Sequence, residues 1–575
     1  MRIFLLLFTA ILYSKESCLN CHTNTTDISS FHKIDEMGCS SCHGGRIKAT
    51  TKEEAHFGMV KNPARLEHAQ IFCAKCHKEI VNRVKSSIMN TQSGILDVLR
   101  YQFKETPTIK KSKGIEELKD KENLTLAEDH FSKLCAACHI NQKEEFFKKL
   151  PKRGGGCVDC HREDKRRSKF KLDGFIHPKF TTNIKTSTCL KCHNRSNRIG
   201  LSYIGKFESE GYNIFKGGKV VNRLDIHRRF YNLPADIHHS RGKLSCIDCH
   251  SEVGVMGDNK EHLHMEDAVD ISCSDCHNPT FKKALEYPLA IKLAYINGKV
   301  PIPSDLVAVT KKKNTPLYNL QKIDGEIKFF RKSDGKEIEL PLLKGPYHNH
   351  SFHQRLDCSA CHTQWVPSCY GCHEVYLKGG KQFDWIKHKK TKGQWQELRS
   401  FLRYEDKTLA VGYNKKIMPA APGCQVIMNI YEESGEYKKG FTSLAYGAWS
   451  PHSVGRSKKC VECHINSTAI GVGNGVLHYR EDKVTFRPFF NSKKSGFDFE
   501  FNIDALNDLD GRAFQSFSRD NARAFNKDEI KRVLEAYRCI ICHSSWDDKI
   551  YREYNKSKEL FFKKETKCAK EIFKR

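Results

Sequence analysis

One short pattern constrains this chain more than any other: Cys-x-x-Cys-His occurs twelve times in 575 residues. In chain order the copies are Cys18/Cys21/His22, Cys39/Cys42/His43, Cys73/Cys76/His77, Cys135/Cys138/His139, Cys157/Cys160/His161 and Cys189/Cys192/His193. Then come Cys246/Cys249/His250, Cys273/Cys276/His277, Cys358/Cys361/His362, Cys369/Cys372/His373, Cys460/Cys463/His464 and Cys539/Cys542/His543. They use 24 of the 26 cysteines and 12 of the 28 histidines. The spacing has a chemical reason. Two thiols three positions apart can add to the two vinyl groups of one haem, and the adjacent histidine then reaches its iron as proximal ligand. Zinc is the rival reading, because Cys-x-x-Cys pairs also build tetrahedral sites. A zinc ribbon, however, needs two pairs per metal and has no use for a histidine after each.

Composition agrees with a bulky cofactor. Hydrophobic residues are only 39% of the chain and the mean hydropathy is −0.59, yet aromatics reach 10%, which argues against disorder. Haem in place of aliphatic side chains accounts for both. On its twelve motifs, spread over residues 18–543, the chain resembles the bacterial multihaem c-type cytochromes, with a weaker similarity to the octahaem tetrathionate and hydroxylamine-type reductases. That resemblance implies twelve covalently attached haem c groups. It also implies a fold of mainly short α-helices and irregular loops wrapped around stacked haems, here with two small β-rich insertions.

The formal net charge of +29 invites a nucleic-acid reading. Twelve haems carry two propionates each, and each ferric iron returns one positive charge, leaving about +17 oxidised and about +5 reduced. Most of the basic excess therefore balances cofactor, and nucleic acid is not expected as a partner. An acidic redox partner or an oxyanion is compatible with the charge that is left.

Sixteen histidines lie outside the motifs: His32, His56, His68, His130, His177, His227, His238, His239, His262, His264, His348, His350, His353, His388, His452 and His478. They are the candidates for the distal side of each iron, enough to make every haem bis-histidine. Several, including His32, His68, His130, His177 and His452, precede a motif by five to twenty residues, which suits short-range ligation. Methionine is a poor rival at eight residues, so low potentials are expected. A bis-histidine iron moves electrons and binds no substrate; catalysis needs one open or exchangeable position.

Along the chain, Arg2 followed by the apolar run Ile3 to Tyr13 and Ser14 reads as a signal peptide over 1–17, too short to span a bilayer. An uncleaved anchor is the alternative. Residues 18–280 hold eight motifs, whose first cysteines recur with shifts of 117, 118, 116, 111 and 116 residues when three motifs are stepped over, as tandem three-haem units would. Residues 281–357 carry no motif and read as a short helix followed by a β-rich insertion with turns at Asp324-Gly325 and Asp334-Gly335. The closely spaced pair at 358–373 follows, then a motif-free insertion over 374–459, then a helical region over 460–575 with two haems. Within that last region a helix is expected over 526–538, capped by Asn526, with Glu529, Lys531, Arg532 and Glu535 facing outward. A basic helix in solvent is expected beyond 556.

Cys424 and Cys568 belong to no motif. A disulfide or an inert thiol is one reading. The other gives Cys424, in the turn Met418-Pro419-Ala420-Ala421-Pro422-Gly423-Cys424, a catalytic place beside a haem, as the similarity to tetrathionate-type enzymes implies. Three functions then compete. The first is an electron conduit in anaerobic or extracellular respiration, periplasmic or at the cell surface. It would be served by quinol-linked or small c-type cytochrome partners and be at most peripheral to a membrane. The second is a terminal reductase of a nitrogen or sulfur oxyanion, with Tyr446, His452 or Lys458 as proton donors. The third is an extracellular filament of stacked haems.

Overall fold

The computed structural model describes residues 16–572 except 24, 144–152, 164–176, 178, 195–198, 209–214, 217–218, 221–229, 344–347, 349–350, 424–425, 481–482, 496–498 and 546. For 215–216, 219–220, 351, 371–373 and 398–405 it describes the backbone alone. Residues 1–15 of the segment expected as a leader over 1–17 and the residues His227, His350 and Cys424 lie outside the described residues, and so do the side chains of Cys372 and His373.

Most motifs fold as one turn of helix. The motif histidine's amide bonds back to the first cysteine's carbonyl at 2.8–3.0 Å in eight copies, those ending at His22, His43, His77, His161, His193, His250, His464 and His543. One turn brings positions i and i+3 to the same side, so a three-residue step sets both sulfurs side by side. Local caps fix where these turns begin. Ser245 with Asp248 and Ser272 with Asp275 form capping boxes at the seventh and eighth motifs, and Asp357 caps the ninth. The fourth motif departs from this pattern: Phe131–Cys135 is a π-helical turn running into the 3-10 turn Ala136–Cys138. Glu16 and Ser17, read from sequence as the end of a leader, are built into this region. The Glu16 carboxylate accepts the amides of Cys39 (2.7 Å) and Ser40 (3.1 Å), and the Ser17 amide donates to the Ile47 carbonyl (2.9 Å).

The first insertion is a five-stranded antiparallel meander of Thr280–Lys283, Leu306–Val309, Pro316–Ile323, Glu326–Phe330 and Glu337–Ile338. Asp324 and Gly325, both at positive φ (51° and 83°), make its two-residue hairpin turn, where glycine relieves the strain. Alternation, interrupted by a register shift between residues 317 and 321, decides what each face covers. Val307, Tyr318 and Phe330 pack under the helix Pro288–Asn297, while Ala308, Leu317, Leu320 and Phe329 turn toward Leu244 and Cys276 of the seventh and eighth motif regions.

The second insertion is larger than the sequence suggests. It forms one four-stranded sheet in the order Lys389–Glu405, Val366–Asp384, Val426–Tyr431, Tyr437–Ser443, and contributes three strands to another, Thr408–Val411, Ile417–Pro422, Ala445–Ala448 and Ser516–Phe517. The tenth motif's backbone runs inside the strand Val366–Asp384 and not in a helical turn. The helix Ser93–Gln102 of the N-terminal region packs against this sheet through Leu96 and Leu99, with Phe131, Trp395, Val426, Met428 and Ile430 completing the core.

The C-terminal region also corrects an expectation, since it carries the hairpin Gly475–Arg480/Lys483–Pro488 besides its helices. The helix Lys527–Glu535 starts at Asn526 as its sequence requires, but Glu529 is buried rather than outward: it closes the capping box and binds Arg523 (2.7 and 3.0 Å) and Arg355 (3.2 Å). Burial works against its charge, yet the Arg523 bonds, the Asn526 amide and Arg355 outweigh it and hold the carboxyl down at about 2. The folded value lies below the ordinary one, so this stabilisation is complete above about 4.5 and disappears as the pH falls through about 2. Glu529→Gln is expected to flatten the acid limb of a plot of Tm against pH; an unchanged limb would remove the carboxylate from the account. Past residue 556 the tail is not simply solvated, because Phe561 and Ala569 are buried.

Candidate haem sites

Seven motif histidines face a second imidazole. The ring centroids lie 6.2 Å apart in His22/His56, 6.0 Å in His32/His77, 6.1 Å in His43/His177, 6.0 Å in His238/His277, 6.2 Å in His250/His452, 6.5 Å in His348/His362 and 6.2 Å in His353/His464. Direct ring stacking or a hydrogen bond would draw two imidazoles closer. A ring nitrogen lies roughly 1 Å from its ring centre and a metal–imidazole bond runs about 2 Å, so a metal gripped from both sides puts the centroids about 6 Å apart. The residues fit haem on this ground, and each pair joins one motif histidine to one candidate from outside the motifs.

The other ring nitrogen is anchored at many of these sites. Nδ1 donates to a backbone carbonyl at His43 (Val60, 2.7 Å), His277 (Pro341, 2.7 Å), His362 (Gly455, 3.1 Å), His464 (Val533, 2.7 Å), His177 (Thr26, 3.0 Å) and His452 (Ser450, 3.1 Å). Such bonds select the tautomer that frees Nε2 and fix the ring plane. His161 (Thr181, 3.0 Å) and His68 (Asn62, 2.9 Å) are held in the same way without a facing imidazole among the described residues.

The remaining described candidates have other neighbours. His130 directs Nε2 at Glu374 (2.7 Å), and His262 binds Asp258 (2.9 Å). His388 binds the Gln142 side chain (3.0 Å) near His139, whose own Nε2 meets the Asn90 side chain (3.0 Å). His239 lies against Tyr203 (5.2 Å between centroids), His264 sits near Arg519 and Glu266, and His478 is exposed on its hairpin opposite Thr485. His193 is close to His250.

Among the described residues, the sulfurs of every motif but the tenth lie near those of another. Cys18 meets Cys39, and Cys73 neighbours both Cys42 and Cys157. Cys189 meets Cys246 and neighbours Cys160, while Cys192 meets Cys138. Cys249 neighbours Cys276, Cys273 meets Cys358, Cys361 neighbours Cys460 and Cys463, and Tyr551 lies between Cys460 and Cys539. Burial pushes the thiols of Cys39 up to about 12 and those of Cys73, Cys160 and Cys463 up to about 11. Cys246 and Cys358 are the exceptions, held down at about 7 by the thiols they meet. Among the described residues only Glu16, Cys18 and Cys39 gather as tightly as a small metal site needs, and that carboxylate is already taken by two amides. No disulfide occurs among the described residues, and Cys568 lies against Cys542.

The polypeptide itself covers the motif cysteines to different degrees. Cys21 and Cys76, the second cysteines of the first and third motifs, are exposed, whereas their partners Cys18 and Cys73 are half-buried. The physical reason is local. The single turn Cys18–Cys21 buries none of its residues, and the helix Ala74–Ser86 buries only Val81, Arg83 and Val84, leaving its first turn with Cys76 open to solvent. For Cys21 and Cys76 the protein fold therefore adds no enclosure to the case for haem attachment, which rests on their motif spacing. Cys273, Cys358 and Cys542 are exposed too, but each lies against another cysteine.

Residues 232–294 match the family model for cytochrome c7 and related cytochrome c. The chain carries a multihaem cytochrome c segment. That segment holds the seventh and eighth motifs with His238, so its covalent haem chemistry and electron transfer follow from the match. No curated protein and no solved structure gives a match. Among the described residues no helix is long and apolar enough to cross a membrane.

Sequence reasoning had found every residue of the seven pairs but not their partnering. His32, His177 and His452 each precede a nearby motif, yet they face His77, His43 and His250, which belong to other motifs.

Proposed function

We propose that this is an exported dodecahaem c-type cytochrome that carries electrons through a series of mostly bis-histidine haems in anaerobic or extracellular respiration. The single observation that carries the reading is the set of seven imidazole pairs at 6.0–6.5 Å, each built on a different motif. When bound, haem supplies one-electron chemistry. The chain's own residues would attach it through paired sulfurs, grip its iron from two sides and fix the rings through Nδ1. Neighbouring sulfurs that connect eleven of the twelve motifs, all but the tenth, support close succession of the sites, which short electron steps require. Redox partners would be quinol-linked proteins or small c-type cytochromes, in the periplasm or at the cell surface.

The test is the mass and the oxidised-state EPR of holoprotein, recorded with and without nitrite, hydroxylamine, tetrathionate and sulfite. Twelve attached haems with low-spin signals indifferent to all four ions are the expected result. A high-spin component displaced by one of them would favour an oxyanion reductase instead, and Cys424→Ser would then report whether that sulfur belongs to the site.

A further inference from the structure

The twelfth motif holds its histidine differently from five others whose Nδ1 anchor is seen. Nδ1 of His43, His161, His277, His362 and His464 donates to a neutral backbone carbonyl, but Nδ1 of His543 donates to the Asp548 carboxylate, Oδ2 at 2.7 Å. Asp548 is itself fixed, since its Oδ1 accepts the Ile550 amide (3.2 Å) at the start of the helix Lys549–Arg552. The backbone of His543 is fixed as well, its carbonyl accepting the Tyr551 hydroxyl (2.5 Å). The motif sits at the surface, with Ile541 68% exposed and Cys542 exposed. Its sulfurs connect to the rest of the series through Tyr551 and the eleventh motif.

A carboxylate accepts a ring N–H with a full charge where a carbonyl offers a dipole. The imidazole gains anionic character, becomes a stronger donor at Nε2, and stabilises the ferric over the ferrous iron. We propose that Asp548 is a positioning residue that lowers the potential of the twelfth haem, so that the exposed end of the series is tuned apart from the carbonyl-anchored sites behind it. This rests on the haem reading of the motifs. His238, facing the eighth motif's His277, shares the device: it donates Nδ1 to Asp236 (2.8 Å), whose second oxygen accepts the Val454 amide (2.8 Å). Asp236 lies buried where Asp548 does not, which makes the surface carboxylate the cleaner one to test.

The experiment is a spectroelectrochemical titration of the holoprotein carrying Asp548→Asn, with attached haem counted by mass. Asparagine keeps an oxygen for the Ile550 amide and removes the charge. A Cys539→Ala/Cys542→Ala protein, one haem short, identifies the component that belongs to this motif. That component is expected to become about tenfold easier to reduce, about 59 mV upward for one electron. Its EPR g values should shift, the other components should stay in place, and Asp548→Glu should restore the original value. An unmoved component with full haem content overturns the proposal. If the asparagine variant loses haem, Tyr551→Phe separates the roles: it loosens the same histidine but leaves the carboxylate. An unmoved potential there keeps the tuning assignment, and a shift equal to that expected of Asp548→Asn overturns it. Absence of haem from Cys539 and Cys542 in the unaltered protein would fail the underlying haem reading, not the tuning argument.

Discussion

His452→Ala is expected to turn one haem of the set from low spin to high spin and to cut electron passage between the two halves of the chain. His452 reaches its place from the end of the second insertion, and its ring lies nearly parallel to that of His250, at 8° and 6.2 Å. Its setting is built by several unrelated segments. The residue holds positive φ (53°), Ser453 donates its hydroxyl to the Trp365 carbonyl (2.5 Å), and the Val454 amide donates to Asp236 (2.8 Å). The seventh motif stands mid-series, with Cys246 against Cys189 on one side and Cys249 near Cys276 on the other. A lost sixth ligand raises the reorganisation needed at that iron, so stopped-flow reduction of the C-terminal haems by a donor acting at the N-terminal end should slow by about tenfold, about 1.4 kcal/mol of barrier. EPR gives the independent reading. A spectrum still wholly low spin would mean that another group takes the position, and the His250/His452 assignment would fall.

That pairing also shows where sequence reading stops. The motifs were legible because attachment is local chemistry: two sulfurs and an imidazole must come from five consecutive residues. The distal ligand has no such tether. The imidazole that faces a motif histidine belongs to whichever segment packs there, and His177 faces His43 and His452 faces His250 across long stretches of chain. The meander after the eighth motif was legible for the opposite reason, its Asp324-Gly325 turn and alternating strand Glu326–Phe330 being local signals. The long strands Val366–Asp384 and Lys389–Glu405 were not. Their pairing is broken by register shifts around Leu377 and Lys381, and Lys378-Gly379-Gly380-Lys381 carries none of the β-branched or aromatic alternation that marks a strand. Glu529 was misjudged as outward because helical periodicity alone cannot reveal two arginines, Arg355 and Arg523, arriving from other segments.

Glu374→Ala is the substitution expected to damage stability most. Its carboxylate meets His130 Nε2 at 2.7 Å with both side chains buried, 9% and 8% exposed, and the pair ties the N-terminal region to the second insertion. Trp395 stands edge-on to the same imidazole (4.7 Å between centroids) and donates its indole N–H to Asp129 (2.8 Å), whose other oxygen takes the Lys133 ammonium (2.6 Å). Burial alone would drive His130 neutral, but the Glu374 charge, together with hydrogen bonds to the Cys135 sulfur and Glu374, overrides it and raises the imidazole to about 10. At neutral pH the ring is therefore cationic, and removing its partner leaves a buried unpaired charge, a cost of about 3–5 kcal/mol. Because the folded value lies above the ordinary one, this contribution is complete below about 6.5 and is lost as the pH rises through about 10. Urea unfolding followed at pH 7 and pH 10.5 should thus show a large deficit for Glu374→Ala at the lower pH and a smaller one at the higher. Replacing both partners, His130→Phe with Glu374→Leu, should recover most of the loss, since two apolar groups leave no charge to desolvate. If the double variant instead loses a low-spin haem signal while its stability stays low, His130 is an iron ligand, and the ion pair is not what holds these two regions together.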